Sequence, residues 1–213
     1  MSATREIGFE ALLAQLRNAA PGARRLVAVA GPPGAGKSTF AARLVAALND
    51  GAPGHAALLA MDGFHYDDRV LNARGQRARK GAPHTFDVDG LAAMLARLAA
   101  DDGREIAVPV FDREIEIARA GAAIVPAAAR VVVVEGNYLL LDDAAWAPLR
   151  AAFDTTVMLA VPRAVLVERL AARWHGYGMD EAAILAKLDG NDLPNVDLVL
   201  GGSVPADFRV VNG

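Results

Sequence analysis

The chain contains no cysteine in its 213 residues, which excludes disulfide bridges and thiolate metal sites and suits a reducing compartment. It has no apolar run near the about 18 residues of a membrane span, so no membrane partner is expected. The start, Met1-Ser2-Ala3-Thr4-Arg5-Glu6, lacks the charged-then-apolar layout of a signal segment, and Glu6 and Glu10 interrupt it. A cytoplasmic location is the expectation. There is no excess of positive charge: the formal net charge is −3, which argues against a nucleic-acid partner. The four histidines, His55, His65, His84 and His175, show no paired metal-ligand spacing. Internal repeats and low-complexity linkers are absent too.

What is present is a chain 54% hydrophobic and 22% charged, long enough for one well-buried core and short for two. The reading is therefore a single domain over 1–213. Its most informative stretch is Gly31-Pro32-Pro33-Gly34-Ala35-Gly36-Lys37-Ser38-Thr39, which fits G-x-x-x-x-G-K-[ST], the phosphate-binding P-loop. The flanks are those the motif needs. Arg25 to Ala30 reads as a buried strand, and Phe40 to Leu48 as a helix with Phe40, Leu44 and Leu48 on one face. Glycines let backbone amides approach a phosphate with no Cβ in the way, and the helix N-terminus adds partial positive charge. Lys37 is placed to reach the β- and γ-phosphates of ATP, and Ser38 to ligate Mg²⁺.

Around this unit, residues 5–19 read as an amphipathic helix ended by Pro21-Gly22, and Ala56–Met61 as a second buried strand. Residues 67–87 are polar and basic and read as a loop with one helical turn. A helix covers 89–100. Glu105–Asp112 looks extended, and the segments around Ile115-Ile117 and Ala122–Val125 read as a short hairpin. Arg130–Gly136, with four consecutive valines, is the least ambiguous strand. Residues 142–152 read as a helix, 155–161 as a strand, 163–174 and 180–189 as helices, and 197–200 and 208–211 as short strands. Strands alternating with helices predict an α/β fold: three layers, a mainly parallel central sheet flanked by helices, and a small substrate-covering hairpin or lid.

In open parallel sheets, ligands meet the carboxyl ends of the strands. Three strands deliver polar groups there: Lys37 and Ser38 after the first, Asp62 after the second, Glu135 at the end of the valine run. Asp62 opens a glycine-containing turn and is assigned as the base that takes a proton from an attacking hydroxyl. Glu135 is assigned to Mg²⁺, directly or through water. A turn cap for Asp62 and a solvated strand end for Glu135 are the competing structural readings. Arg169 and Arg173 lie four apart and so share one helix face. With His175-Gly176-Tyr177-Gly178 they form a candidate lid over about 163–180, closing on the phosphates. A solvated helix face is the competing reading. Arg79 and Lys80 are read either as substrate contacts or as plain surface. His65 stands out among the histidines because it adjoins Asp62-Gly63-Phe64.

These residues together resemble the P-loop kinases of the uridine kinase, phosphoribulokinase and type I pantothenate kinase group, over roughly residues 25–200. The most specific stretch is Met61-Asp62-Gly63-Phe64, then Val70-Leu71, Arg74-Gly75, Arg79-Lys80-Gly81, Pro83 and Phe86-Asp87. Pro109-Val110-Phe111-Asp112-Arg113 is similar to the segment leading into the family's substrate-covering hairpin, and Glu135-Gly136-Asn137-Tyr138 to its E-G after a strand. Asn191 through Leu200 resembles its asparagine-containing tail. The resemblance implies phosphorylation, with ATP and Mg²⁺, of an alcohol on a small metabolite such as a nucleoside, a sugar or a pantothenate-like compound. It supports Lys37 on phosphate, Asp62 as base, and Arg169 and Arg173 in the lid. The implied substrate contacts are Asp62, Phe64, His65, Arg79, Phe111, Arg113, Glu135 and Tyr138. Two departures stand out. Phe111 and Arg113 replace the Tyr and His of pantothenate kinases, and Pro194-Asn195-Val196 stands where those carry a basic residue. Arg113 can instead meet a carboxylate, a sugar oxygen or a phosphate.

The alternative is a P-loop switch NTPase with no small-molecule acceptor. Asp87-Val88-Asp89-Gly90 fits the short D-x-x-G pattern of such proteins, but no N-K-x-D guanine reader accompanies it. A homodimer is compatible with the sequence, which identifies no interface.

Overall fold

The computed structural model describes residues 4–18 and 22–212. Strands β1 (Arg5–Glu6), β2 (Arg25–Ala30) and β3 (Ala56–Ala60) belong to a larger sheet; β4 (Ile106–Asp112) and β5 (Ile117–Val125) form a separate antiparallel hairpin. β6 (Val131–Gly136), β7 (Thr155–Ala160) and β8 (Phe208–Val211) complete the sheet, whose six parallel strands run β1-β8-β7-β2-β6-β3. Helices α1 (Phe9–Arg17), α2 (Lys37–Asn49), α3 (Asp68–Ala73), α4 (Val88–Ala99), α5 (Arg163–Gly176), α6 (Glu181–Lys187) and α7 (Leu193–Gly202) surround it.

The layers follow from the two-residue period of the strands. Leu26, Ala28, Ala30, Leu59, Val132 and Val134 point to one face, where they meet Leu91, Leu95 and Leu98 of α4, together with Tyr138 and Trp146. Val27, Val29, Val131, Val133, Val157 and Leu159 point to the other, against Leu12 and Leu16 of α1, Phe40 and Leu44 of α2, and Leu166 and Leu170 of α5. Every residue of β6 is buried, as its run of valines requires. The expected α/β three-layer sheet and the helices after β2 and β7 are present.

Several boundaries and one element differ from expectation. The N-terminal helix does not span 5–19. Arg5 and Glu6 add a strand to the edge of β8, with Arg5 N donating to Asp207 O and Ile7 N to Arg209 O, and the helix starts only at Phe9. An unpaired strand edge supplies backbone partners that outweigh a short stretch of helical pattern. Pro21, expected to end that helix, lies outside the described residues. The 67–87 segment holds a helix and two 3₁₀ turns, Arg77–Arg79 and Pro83–Thr85, and 142–152 holds a 3₁₀ turn rather than an α-helix. The hairpin turns at 113–116, and Ile106–Asp112 pairs with Ile117–Val125. Residues 197–200 are not a strand but the middle of α7. Val196 and Val199 are buried three apart while Leu198 and Leu200 are exposed, which is a helical spacing, and Asp197 binds the Arg163 guanidinium of α5 through both oxygens at 2.7 and 3.0 Å.

Candidate active site

The carboxyl ends of β2, β6 and β3 open onto one cleft of about 380 Å³. The loop after β2 turns through Gly34 and Gly36, both at φ of +81°, a conformation that β-carbons disfavour. There is also no space for one: a Cβ on Gly36 would stand 2.9 Å from the Asn212 side chain. Asn212, just past β8, donates from Nδ2 to Ala35 O at 2.7 Å and so ties the last strand to the loop. The loop leads directly into α2, whose first residue is Lys37.

Lys37 is buried, and Nζ donates to Pro32 O at 3.0 Å. Burial pushes its ammonium down to about 8, with the Glu135 and Asp62 charges working in the opposite direction. Ser38 Oγ donates to Glu135 Oε1 at 2.9 Å. Burial raises the Glu135 carboxyl above its ordinary value, against the pull of Lys37. Asp62 stands at the first turn beyond β3, with Oδ2 2.7 Å from Arg113 Nη2. Two glycines set this arrangement by close approach. A Cβ on Gly136 would strike the Met61 side chain at 2.5 Å, and one on Gly63 would strike Pro109 O of β4 at 2.7 Å. The Asp62 turn is therefore clamped between β6 and the hairpin.

The part of the cleft beside Asp62 is aromatic and cationic. His65 packs against Phe86 and Phe111 with its ring tilted to both, centroids 4.1 and 4.6 Å away, and its Nδ1 lies 2.8 Å from Asp62 O. Burial lowers its pKa. Arg173, Trp174 and Tyr177 of the α5 end also line the cleft.

The expected residues thus divide. The cleft is lined by Pro33, Gly34, Gly36, Lys37, Ser38, Thr39, Asp62, His65, Phe111, Arg113, Glu135 and Arg173. Gly31, Pro32 and Ala35 shape the loop behind them. Four residues do not line it. Phe64 is packed in the core. Tyr138 is fully buried, its hydroxyl donating to Gly81 O at 2.6 Å, and burial raises its pKa. Arg79 reaches away, to Gly190 O and Asn195 Oδ1. Arg169 donates to Asn212 O at 3.1 Å, so the expected pair of lid arginines is split. One helical turn is a rise of about 5.4 Å, enough to set Arg169 against the last strand while Arg173 meets the cleft. Trp174, Lys187 and Asp192 were not anticipated. Trp174 Nε1 donates to Asp192 Oδ2 at 2.6 Å, and burial raises that carboxyl. Residues 184–200 carry three aspartates, a lysine and two asparagines among their apolar residues, and no local signal marks Lys187 or Asp192 as the ones that face the cleft. Asp87, part of the switch-like pattern, instead caps α4, with Oδ1 accepting from Gly90 N at 2.9 Å.

Phosphate and a hard divalent cation both fit what is here. The loop supplies a Cβ-free backbone cradle and a buried ammonium held by a single carbonyl, and Ser38 with Glu135 supplies adjacent oxygen donors. Among the described residues no group of three or more His, Cys, Asp or Glu forms a metal cluster, so such a cation would be held partly by its own ligands. No helix is long and apolar enough to cross a membrane among the residues described.

Comparison with known proteins agrees with this geometry. The model of the phosphoribulokinase / uridine kinase family matches residues 26–187. The uncharacterized protein YggC of Escherichia coli K12 is 35% identical over 201 residues, covering 93% of this chain and 82% of that one. A "putative uridine kinase" of Schizosaccharomyces pombe is 33% identical over 192 residues, covering 87% and 82%. The crystal structure of a "putative fructose transport system kinase" from Silicibacter sp. TM1040 superposes with a TM-score of 0.87 at 41% identity, covering 95% and 98%. The chain belongs to the phosphoribulokinase / uridine kinase family of small-molecule kinases, and the switch reading is not favoured.

Proposed function

We propose that the protein transfers the γ-phosphate of ATP, with Mg²⁺, to a hydroxyl group of a small metabolite. One observation carries this reading: Lys37, the Ser38–Glu135 pair and Asp62 come from the ends of three adjacent parallel strands and face a single cleft. The loop amides and Lys37 hold the phosphates, and Ser38 and Glu135 hold Mg²⁺, which supplies charge neutralisation when bound. Asp62 takes the proton of the acceptor hydroxyl as its oxygen bonds to the γ-phosphorus, and the bond from that phosphorus to the bridging oxygen breaks to release ADP. Arg173 offsets charge on the transferred group, and the α5 end excludes water.

Asp62→Asn tests the assignment. Calorimetry should show ATP binding within a few-fold of the parent, while ADP release with acceptor falls by at least about 1,000-fold. A normal rate would remove Asp62 from the base role. Failure of the parent protein to bind ATP with magnesium would remove the reading altogether.

A further inference from the structure

Arg113 stands in the hairpin turn directly after β4 and reaches back to Asp62, the group that must be free to accept a proton. The neighbouring cations are engaged elsewhere. Lys80 Nζ donates to Asp68 Oδ1 and to Glu116 O, both at 2.7 Å, and Arg77 bridges Asp68 and Glu116 at 2.6 and 3.3 Å. Arg113 is 57% exposed on its side chain, and Asp62 is its ion-pair partner among the described residues. A guanidinium presents a planar fork of donors that suits two oxygens, and the oxygen it holds here is a carboxylate's.

We propose that Arg113 is a carboxylate subsite, and that the acceptor is a short hydroxy acid whose hydroxyl and carboxylate lie a few bonds apart. The inference rests on the function proposed above and narrows its substrate. A single fork matches a single negative charge. A phosphate dianion calls for a second cation at the hairpin turn, and the two that meet it, Lys80 and Arg77, are already spent on Asp68 and Glu116; Arg173 and Lys187 also line the cleft, and the sugar-phosphate control reads whether they serve instead. The spacing sets the size of the molecule. Asp62 and Arg113 start in contact and part only as far as an inserted carboxylate requires, so an acceptor that reaches both carries its two functional groups close together. The packed rings of His65 and Phe111 give its short carbon chain an apolar wall. The arrangement also couples recognition to chemistry. An arriving carboxylate replaces Asp62 on Arg113 and leaves Asp62 free for the hydroxyl. Water brings no carboxylate, so it does not release the base.

The test uses matched acceptors: glycerate against glycerol, 3-hydroxypropionate against 1-propanol, and gluconate against glucose, with ribose 5-phosphate as the dianionic control. ADP release by the whole protein should favour the best acid over its neutral partner by about 10–100-fold in kcat/KM, the scale of one charge-assisted contact. Arg113→Gln should shrink that ratio by a similar factor, chiefly through KM for the acid, and Arg113→Lys should restore part of it. Binding is read separately, as the rise in melting temperature of the complex with a non-hydrolysable ATP analogue. A neutral alcohol or the sugar phosphate outrunning every acid, or an unchanged ratio in Arg113→Gln, overturns the proposal. So does a panel in which no hydroxy acid turns over or raises the melting temperature. ATP binding is measured in parallel: its presence without acid preference sinks this inference alone, and its absence sinks the kinase chemistry beneath it.

Discussion

Two arginine–aspartate clusters sit at opposite ends of the same sheet and are built on opposite plans. At the amino end, Arg24 precedes β2 with a side chain 0% exposed, pairs with Asp101 at 3.4 Å, and donates to the carbonyls of Ala129 and Leu98. Arg130, preceding β6, binds both oxygens of the same Asp101 at 2.6 and 3.1 Å. At the carboxyl end, Arg113 and Asp62 share one contact, with side chains 57% and 23% exposed. A buried charge whose donors all meet fixed acceptors is a staple, because removing it leaves buried carbonyls without a donor. A charge with one partner and open solvent has capacity left for a ligand. Counting partners at matched positions separates the two roles better than residue type does.

The contrast can be broken in order of expected effect. Lys37→Ala should lower kcat/KM by at least about 1,000-fold, read as ADP release, with the fold intact because a buried ammonium has been removed. Turnover within tenfold of the parent would erase the functional half of the comparison. Arg24→Met should do the reverse. Stability in urea should fall by about 1–3 kcal/mol, since the buried carbonyls of Ala129 and Leu98 lose their donor while Asp101 keeps Arg130, and kcat of the folded fraction should stay within a few-fold. A large loss of kcat at unchanged stability would mean that the amino end is not merely structural. Arg173→Ala should cost about 10–100-fold in kcat and less in ATP affinity, and Arg169→Ala should act mainly on thermal stability, since it meets a backbone carbonyl and not the cleft. Equal kinetic effects would put both arginines back in one lid.

The smallest effect is a titration. Lys37 in the free protein loses its proton near pH 8 instead of the ordinary 10.5. ATP affinity should therefore fall as pH rises through about 8, approaching about tenfold per unit, by calorimetry from pH 7 to 9.5. Between about 8 and 10.5 the unfolded chain holds a proton that the native chain lacks. Lys37 alone should thus make the nucleotide-free protein more stable as pH rises through that window. An affinity flat across pH 8 would show that the ammonium is better solvated than its burial implies.

How much of this was legible depended on how local each feature is. The Gly31–Thr39 loop and the four valines of β6 are written in consecutive residues, and both the fold class and the placement of Lys37, Ser38 and Glu135 could be read from them. Asp62 was legible because the turn after β3 follows at once. The 197–200 segment misled because a short apolar run fits strand or helix equally, and the decision is made by Pro194 at the helix start and by Arg163 on α5. Tyr138 and Arg79 were placed in the cleft by resemblance, but their partners Gly81 and Gly190 are 57 and 111 residues away. Packing of that kind leaves no local mark. Nor does the split between Arg169 and Arg173, which is decided by Asn212.

That asparagine has a practical consequence. Because its side chain grips Ala35 O and its own carbonyl receives Arg169, the residue just past β8 works as a strut beneath the phosphate-binding turn. A fluorophore or other bulky label placed at Asn212 would break that strut and disturb nucleotide affinity without touching the pocket. The exposed Gly51-Ala52-Pro53 turn before β3, at the far pole of the sheet, is the quieter place for a label.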